Sequence, residues 1–350
     1  MKISAILDYA GDVIASVEDA RALENAGLDC IWVPEAYGFD AISLMGYLAA
    51  KTTRLEIGSS IVNVFTRTAT LLAMSFAALD KLSDGRAMCG LGASGPQVIE
   101  GFHGLPYEKP MARTRETIEI CRIVWRRETL NYQGRAIQIP LPEGQGTGLG
   151  KPLKLLAPPL RPTIPIWWAS IMPQAVEATA EVADGWIPAN FIPERAEAVW
   201  GEALAAGKAK RQADLGPLQI IAGGPARVTD DDAVLDATLD GLRRGAATNI
   251  GGMGARNKNF YNNLMSAYGW EAEATKIQDL FLAGDRQEAA AAVPTDYLRA
   301  TSLVGSEGWL TERLKDYQKA GVTHLQLGLL GTIDEQVATV KQFRKLVDSI

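Results

Sequence analysis

Short apolar runs alternate with amphipathic stretches along most of this chain, and that alternation limits the fold more than any other feature. The spacing predicts strands at 3–7, 30–33, 55–58, 87–91, 164–169 and 185–188, with helices over 13–26, 41–51, 70–81, 112–126 and 174–183 between them. Gly27 follows the first helix, where a residue suited to a left-handed cap is expected. A seventh strand at 218–222, an eighth at 322–327 and a final helix over 333–347 complete the series. Strands that are apolar throughout and joined by helices belong to a parallel sheet covered on both faces. Eight such strands favour a closed α/β barrel, the (β/α)8 TIM barrel, over an open doubly wound sheet.

Two segments break the repeat. Residues 129–160 are rich in proline and glycine and have no helical period, so they read as a long inserted loop after the fourth helix. Residues 249–300 begin Ile250-Gly251-Gly252-Met253-Gly254 and run through several helical stretches. They read as a helical insertion after strand seven. No composition shift divides the 350 residues, so a single barrel domain over 1–350 is expected.

Composition narrows the class. With 47% hydrophobic residues the chain can bury a large core, and a net charge of −6 argues against a general nucleic-acid binder. Cys30, Cys89 and Cys121 lie far apart in apolar segments, and the only histidines are His103 and His324. Neither a disulfide framework nor a zinc motif is spelled out, so no metal is expected. No run reaches the roughly 18 apolar residues of a membrane span. The start lacks signal-peptide anatomy, which gives a cytoplasmic location as the expectation.

Barrel enzymes place their chemistry at the C-terminal ends of the strands. Asp8 and Tyr9 come after the first strand here, and Pro34 to Tyr37 after the second. Ser59 to Asn63 come after the third, Gly92 to Pro96 after the fourth, Ser170 to Pro173 after the fifth, and Gly223 and Gly224 after the seventh. Gly90-Leu91-Gly92-Ala93-Ser94-Gly95 fits G-x-G-x-x-G, but Pro96 and residues 101–106 interrupt the helix that such a motif should open, and no acid ends a next strand. A dinucleotide fold is therefore disfavoured. The motif reads either as a plain tight turn or as a backbone cradle for a flat or anionic group. Ser170 can cap the next helix, with Pro173 in its first turn, leaving either an ordinary capped helix or an anion site. Glu35 reads equally as a proton carrier and as an ion-pair member. His103 lies in a loop on the active face, whereas His324 lies in a strand and reads as a satisfied core residue. Arg256 and Lys258 are either phosphate ligands or solvated charges. No nucleophile elbow or H-E-x-x-H occurs, so a bound cofactor is expected to carry the reaction.

Three motifs together resemble one family. They are Gly58-Ser59-Ser60-Ile61-Val62-Asn63-Val64-Phe65-Thr66-Arg67, then Leu82-Ser83-Asp84-Gly85-Arg86 running into Gly90 to Pro96, then Ala183-Asp184-Gly185-Trp186. They resemble the luciferase-like superfamily, and within it the oxidoreductases that use the deazaflavin coenzyme F-420. The sequence from Met253 through Ala255 and Arg256 to Tyr261 looks typical of that branch. The resemblance implies a barrel with the deazaflavin in its mouth and a non-prolyl cis peptide at Ser60–Ile61. It implies cofactor contacts at Glu35, Ser60, Ile61, Asn63, Gly92, Ala93, Ser94, Gly95 and Pro96. It adds Ala169, Ser170, Ile171, Met172 and Pro173 around a phosphate, together with Gly252 and Arg256.

Some relatives carry a histidine after the acid, where this chain has Ala36, and sugar-phosphate dehydrogenases carry a glutamate where Ser94-Gly95 stands. Glu35, Tyr37 and His103 remain as the candidate catalytic groups. Trp32, Phe65, Trp168 and Trp186 are expected to line an apolar substrate pocket. The resemblance implies hydride transfer with an alcohol, carbonyl or enone, and a homodimer. The alternative is an FMN-dependent monooxygenase on the same barrel.

Overall fold

The computed structural model describes residues 1–8, 11–254, 256 and 258–350. Tyr9 and Ala255, both singled out by the sequence, lie outside the described residues.

The strands are β1 (Lys2–Ile6), β2 (Cys30–Val33), β3 (Glu56–Ser59), β4 (Val62–Asn63), β5 (Ala87–Gly92), β6 (Tyr132–Gln133), β7 (Gln138–Ile139), β8 (Ile166–Ala169), β9 (Gly185–Ile187), β10 (Gln219–Val228), β11 (Leu303–Gly305) and β12 (His324–Leu329). Early helices are α1 (Val13–Ala26), α2 (Ala41–Lys51), α3 (Ala69–Leu82), α4 (Pro96–Gly101), α5 (Pro110–Trp125), α6 (Pro173–Val182) and α7 (Pro193–Lys210). After β10 come α8 (Asp232–Gly252), α9 (Phe260–Ala267), α10 (Glu271–Ala283), α11 (Arg286–Ala291), α12 (Thr295–Ala300), α13 (Glu307–Lys319) and α14 (Ile333–Asp348).

The parallel order β1-β2-β3-β5-β8-β9 continues to β10, and β10 and β1 both pair with β12, so the sheet closes on itself. This is the eight-stranded barrel. Local chemistry sets the helix ends: Asp12 accepts from the N–H groups of Ile14 and Ala15 to start α1, and Gly27, at φ 106°, stops it.

The cylinder is filled rather than hollow. Cys30, Trp32, Met88, Trp167 and Ile221 pack together inside it. The two indoles meet edge-on at 5.1 Å. They fit because glycines face them: a Cβ at Gly58 would lie 2.3 Å from the Trp32 ring, and one at Gly185 2.2 Å from the Trp167 ring. The alternate residues, including Ile31, Ile57, Cys89 and Trp168, join the main core with the surrounding helices.

Several expectations need correction. The seventh strand is longer than read, so Gly223 and Gly224 lie within β10, not after it. They allow close packing there: a Cβ on Gly223 would come 2.0 Å from the Gln326 carbonyl oxygen. A short helix, α4, does open directly after Gly95, because Pro96 suits a first helical turn. The helical insertion begins at Asp232, well before 249, and leads into β11. The loop at 129–160 carries the β6–β7 hairpin, whose turn is held by Glu116 accepting from the N–H groups of Arg135, Ala136 and Ile137. Among the described residues no helix is long and apolar enough to cross a membrane.

Candidate active site

The strand ends on one face of the barrel come together around β4. At Gly90 the strands β3 and β5 approach so closely that a Cβ would sit 1.7 Å from the Ser59 carbonyl oxygen. Ser59 Oγ fills the joint, donating to the Gly90 carbonyl at 2.7 Å and accepting its N–H at 3.0 Å. The chain then turns through Ser60–Ile61, whose peptide is cis as the resemblance implies, and re-enters the sheet as β4 beside β5. The Ile61 side chain lies over Gly92, where an added Cβ would meet Ile61 Cδ1 at 3.0 Å and Ala169 Cβ at 3.7 Å. Gly92 therefore makes room for the Ile61 side chain next to Ala169, and Ile61 and Ala169 form an aliphatic floor at the barrel mouth.

Asn63 is buried, and its Oδ1 accepts from the N–H groups of Phe65 and Thr66 at 3.1 and 3.0 Å, so this oxygen shapes the turn after β4. Ser94 adopts the left-handed conformation at φ 57°, and its carbonyl accepts from the Tyr107 hydroxyl at 3.0 Å. Burial pushes that phenol above its ordinary range. Tyr107 also stacks on Phe65 at 5.1 Å, with the Arg113 guanidinium over the Phe65 ring.

After β8 the backbone is pinned by two indoles. Trp186 donates to the Ser170 carbonyl at 2.9 Å and Trp200 to the Ile171 carbonyl at 2.7 Å. The expected Ser170 cap is not formed, since its hydroxyl turns inward to Thr179 at 2.8 Å. Met172 occupies the cap position, and α6 starts at Pro173, which has no N–H; the Ala175 and Val176 N–H groups donate to the Met172 carbonyl, and no side chain caps the Gln174 N–H. An uncapped start with a helix dipole behind it favours an anion.

Glu35 is engaged from several sides. Arg67 donates to its two carboxylate oxygens at 2.6 and 2.8 Å, and the Ala41 N–H donates to it at 2.9 Å. Arg67 also pairs with Asp40, which caps α2 through the Ser43 N–H. Burial would raise the Asp40 carboxyl, but Ser43 and Arg67 hold it below its ordinary value. Of the two readings open for Glu35, the structure favours the ion-pair member. Its oxygens build the start of α2 and leave it poorly placed to carry protons.

Tyr37 is exposed on the rim and meets Phe102, with ring centroids 6.3 Å apart. Phe102 packs edge-on against His103 at 5.1 Å. His103 Nε2 is buried and has no hydrogen-bond partner among the described residues.

Other candidates go elsewhere. Trp168 and Trp186 face the layer between barrel and helices, and Trp32 is sealed inside the cylinder, so none of the three lines an open pocket. In fully buried strands the apolar pattern does not reveal which face points inward. Gly252 lies under Phe281, where a Cβ would come within 2.5 Å of the ring, so its smallness serves helix packing. Arg256 pairs with Asp279 on α10. Lys258 instead shares a groove with Pro96, Gln97, Glu100 and Gly101. The sequence did not single out Arg67, Tyr107, Phe102 or Trp200 as side chains that touch the candidate site, although Arg67 ends the motif that begins at Gly58.

Comparison with known proteins gives consistent matches. The family described as luciferase-like monooxygenase matches residues 2–324. A Mycobacterium tuberculosis protein provisionally named a coenzyme F-420-dependent oxidoreductase is 36% identical over 328 residues, 92% of this chain and 93% of its own. The 5,10-methylenetetrahydromethanopterin reductase of Archaeoglobus fulgidus is 26% identical over 315 residues, 88% of this chain and 87% of its own. The coenzyme F-420-dependent tetrahydromethanopterin reductase of Methanopyrus kandleri superposes with a TM-score of 0.77 at 19% identity, covering 98% of this chain and 96% of that one, which shows the shared fold.

Proposed function

The chain belongs to the luciferase-like monooxygenase family, and from that premise we propose that it is a coenzyme F-420-dependent oxidoreductase acting on a small, largely apolar alcohol, carbonyl or enone. The observation that carries this reading is the floor of Ile61, Gly92 and Ala169 beside the uncapped start of α6. A flat ring needs an even apolar floor, which Gly92 allows by leaving room for Ile61 beside Ala169, and a phosphate needs open N–H groups. The residues fit both needs.

When bound, the deazaflavin would supply a carbon centre that exchanges hydride with a substrate carbon. Ile61, Gly92 and Ala93 would back the ring, and the backbone from Ser94 to Pro96 would border it. The stretch 170–173, held by Trp186 and Trp200, would receive the phosphate. Tyr37 and Phe102 would close the rim against water, which strengthens polar contacts within. His103 Nε2, buried without a partner among the described residues, would give or take the proton of the substrate oxygen. Glu35 and Arg67 would keep the loops after β2 and β4 in place. A homodimer belongs to the same reading and is read by light scattering.

The test is a fluorescence titration of cofactor-free protein with coenzyme F-420 and with FMN, and then turnover against a panel of alcohols, ketones and enones. Tight quenching by the deazaflavin and bleaching of its absorbance with a panel member are expected. Tight binding of FMN with none of the deazaflavin overturns the reading. His103→Ala is expected to lower kcat by about 10²–10⁴-fold with the cofactor still bound.

A further inference from the structure

Four neighbouring strands open with a polar residue at the barrel end remote from the candidate site. Lys2 begins β1, Cys30 β2, Glu56 β3 and His324 β12. Lys2 registers with His324 across the seam where the last strand closes on the first, and Cys30 registers with Glu56 between β2 and β3. Cys30 is 0% exposed and His324 3%. A ring nitrogen of His324, the Cys30 sulfur and a Glu56 carboxylate oxygen lie within 4.8 Å of one another.

The two ring nitrogens of His324 differ in their surroundings. Thr323 Oγ1 accepts the Ile220 N–H at 3.0 Å and is placed to donate its single hydrogen to the Ile220 carbonyl at 3.1 Å. It also lies 2.9 Å from His324 Nδ1. When that hydrogen stays on the Ile220 carbonyl, the hydroxyl accepts from Nδ1–H and Nε2 carries a bare lone pair, which is the tautomer a metal ion selects. That atom is buried and has no partner among the described residues. An imidazole fixed through one nitrogen by an oxygen acceptor, with the other bare, is in the form that binds metals.

We propose that Cys30, Glu56 and His324 form a binding site for a divalent transition metal of the zinc class, joining β2, β3 and β12 at the barrel seam. A sulfur, a nitrogen and an oxygen donor together suit Zn²⁺ or Co²⁺, whereas Mg²⁺ and Ca²⁺ take oxygen ligands. The Cys30 thiol donates to Glu56 Oε2 at 3.0 Å. On coordination the S–H bond breaks, its proton passes to solvent, and the sulfur binds as thiolate. Lys2 Nζ donates to both Glu56 oxygens at 2.6 Å, and its side chain is 47% exposed, so the ammonium can swing outward and open the way in. The site is independent of the oxidoreductase reading and lies opposite it.

The full-length protein, stripped with a chelator, is titrated with Co²⁺ alone. One Co²⁺ per chain is expected, with a near-ultraviolet thiolate-to-cobalt band that Zn²⁺ displaces, and a higher Tm with either metal. Cys30→Ser is expected to remove the band, and His324→Gln to weaken binding roughly tenfold or more. Cys121→Ser, at a buried thiol beside the Ala69 carbonyl, leaves both unchanged. Lys2→Gln removes the competing ammonium and tightens binding severalfold, a gain that misfolding cannot produce. No band in the unmodified protein, an unaltered titration in His324→Gln, or no tightening in Lys2→Gln overturns the proposal.

Discussion

Arg67 grips Glu35 with two guanidinium nitrogens, Nη1 to Oε1 at 2.6 Å and Nη2 to Oε2 at 2.8 Å. The side chains are only 16% and 10% exposed, so the pair is largely shielded from water. It ties the loop after β2, the turn after β4 and the start of α2 into one block.

Arg67→Met strands the Glu35 carboxylate beside that helix start. A loss of about 3 kcal/mol is expected from leaving one partner of a shielded pair alone, read from the urea midpoint. Arg67→Lys recovers little, because an ammonium cannot make the two-pronged contact. Wild-type stability in Arg67→Met would show that the pair contributes nothing.

The two glycines of β5 should respond differently to alanine. At Gly90 the new methyl would meet backbone at 1.7 Å, so the joint with β3 must open, and cofactor binding is expected to vanish with much of the fold's stability. At Gly92 it would meet the end of the Ile61 side chain at 3.0 Å, which can give by a few tenths of an ångström. Gly92→Ala should fold, with cofactor affinity lowered by a raised floor. Circular dichroism and a quenching titration on the two proteins separate the cases.

Met172→Asp sets two effects against each other at the start of α6. An aspartate at the cap can accept the Gln174 N–H and should raise stability by about 0.5–1 kcal/mol. The same carboxylate should repel a phosphate and weaken cofactor binding by about tenfold. A more stable protein with unchanged affinity would move the phosphate elsewhere.

Glu24 clamps the turn into β3, accepting from the N–H groups of Thr53, Arg54 and Leu55 at 3.0, 2.5 and 2.9 Å. Burial works to raise its pKa, but those three backbone bonds prevail and hold it below the ordinary 4.5. The unfolded chain therefore takes up this proton first as pH falls. The stabilisation is complete above pH 4.5 and is lost as pH drops through the lowered value. Glu24→Gln should cost about 1–3 kcal/mol at neutral pH, and the gap to wild type should close in acid. A gap that stays constant with pH would refute the assignment.

Much of the barrel was legible because its signals are local. Asp12 and Gly27 bracket α1, Asp40 starts α2, and β2 is a compact apolar run, so these elements fall where the pattern puts them. The site was legible as a set of strand ends and not as a set of partners. Nothing local says that Glu35 meets Arg67, or that Trp200 holds the loop after β8. The inward or outward choice at Trp167 and Trp168 was equally hidden, since both faces of β8 are apolar. His324 read as an ordinary core residue, because nothing local reveals that its Nε2 is buried without a partner among the described residues.

The insertion from α8 to α12 closes a core of its own, with Leu239, Ile250, Met265, Ile277 and Tyr297 at its centre and Trp270 reaching across to the barrel. A unit built this way can loosen or be replaced as a block without disturbing the strands beneath. Because Lys258, at its edge, lines the groove beside α4, remodelling this block would reshape that groove without touching β4 and β5. A change in that block can thus alter the groove while the closed sheet beneath keeps its own core.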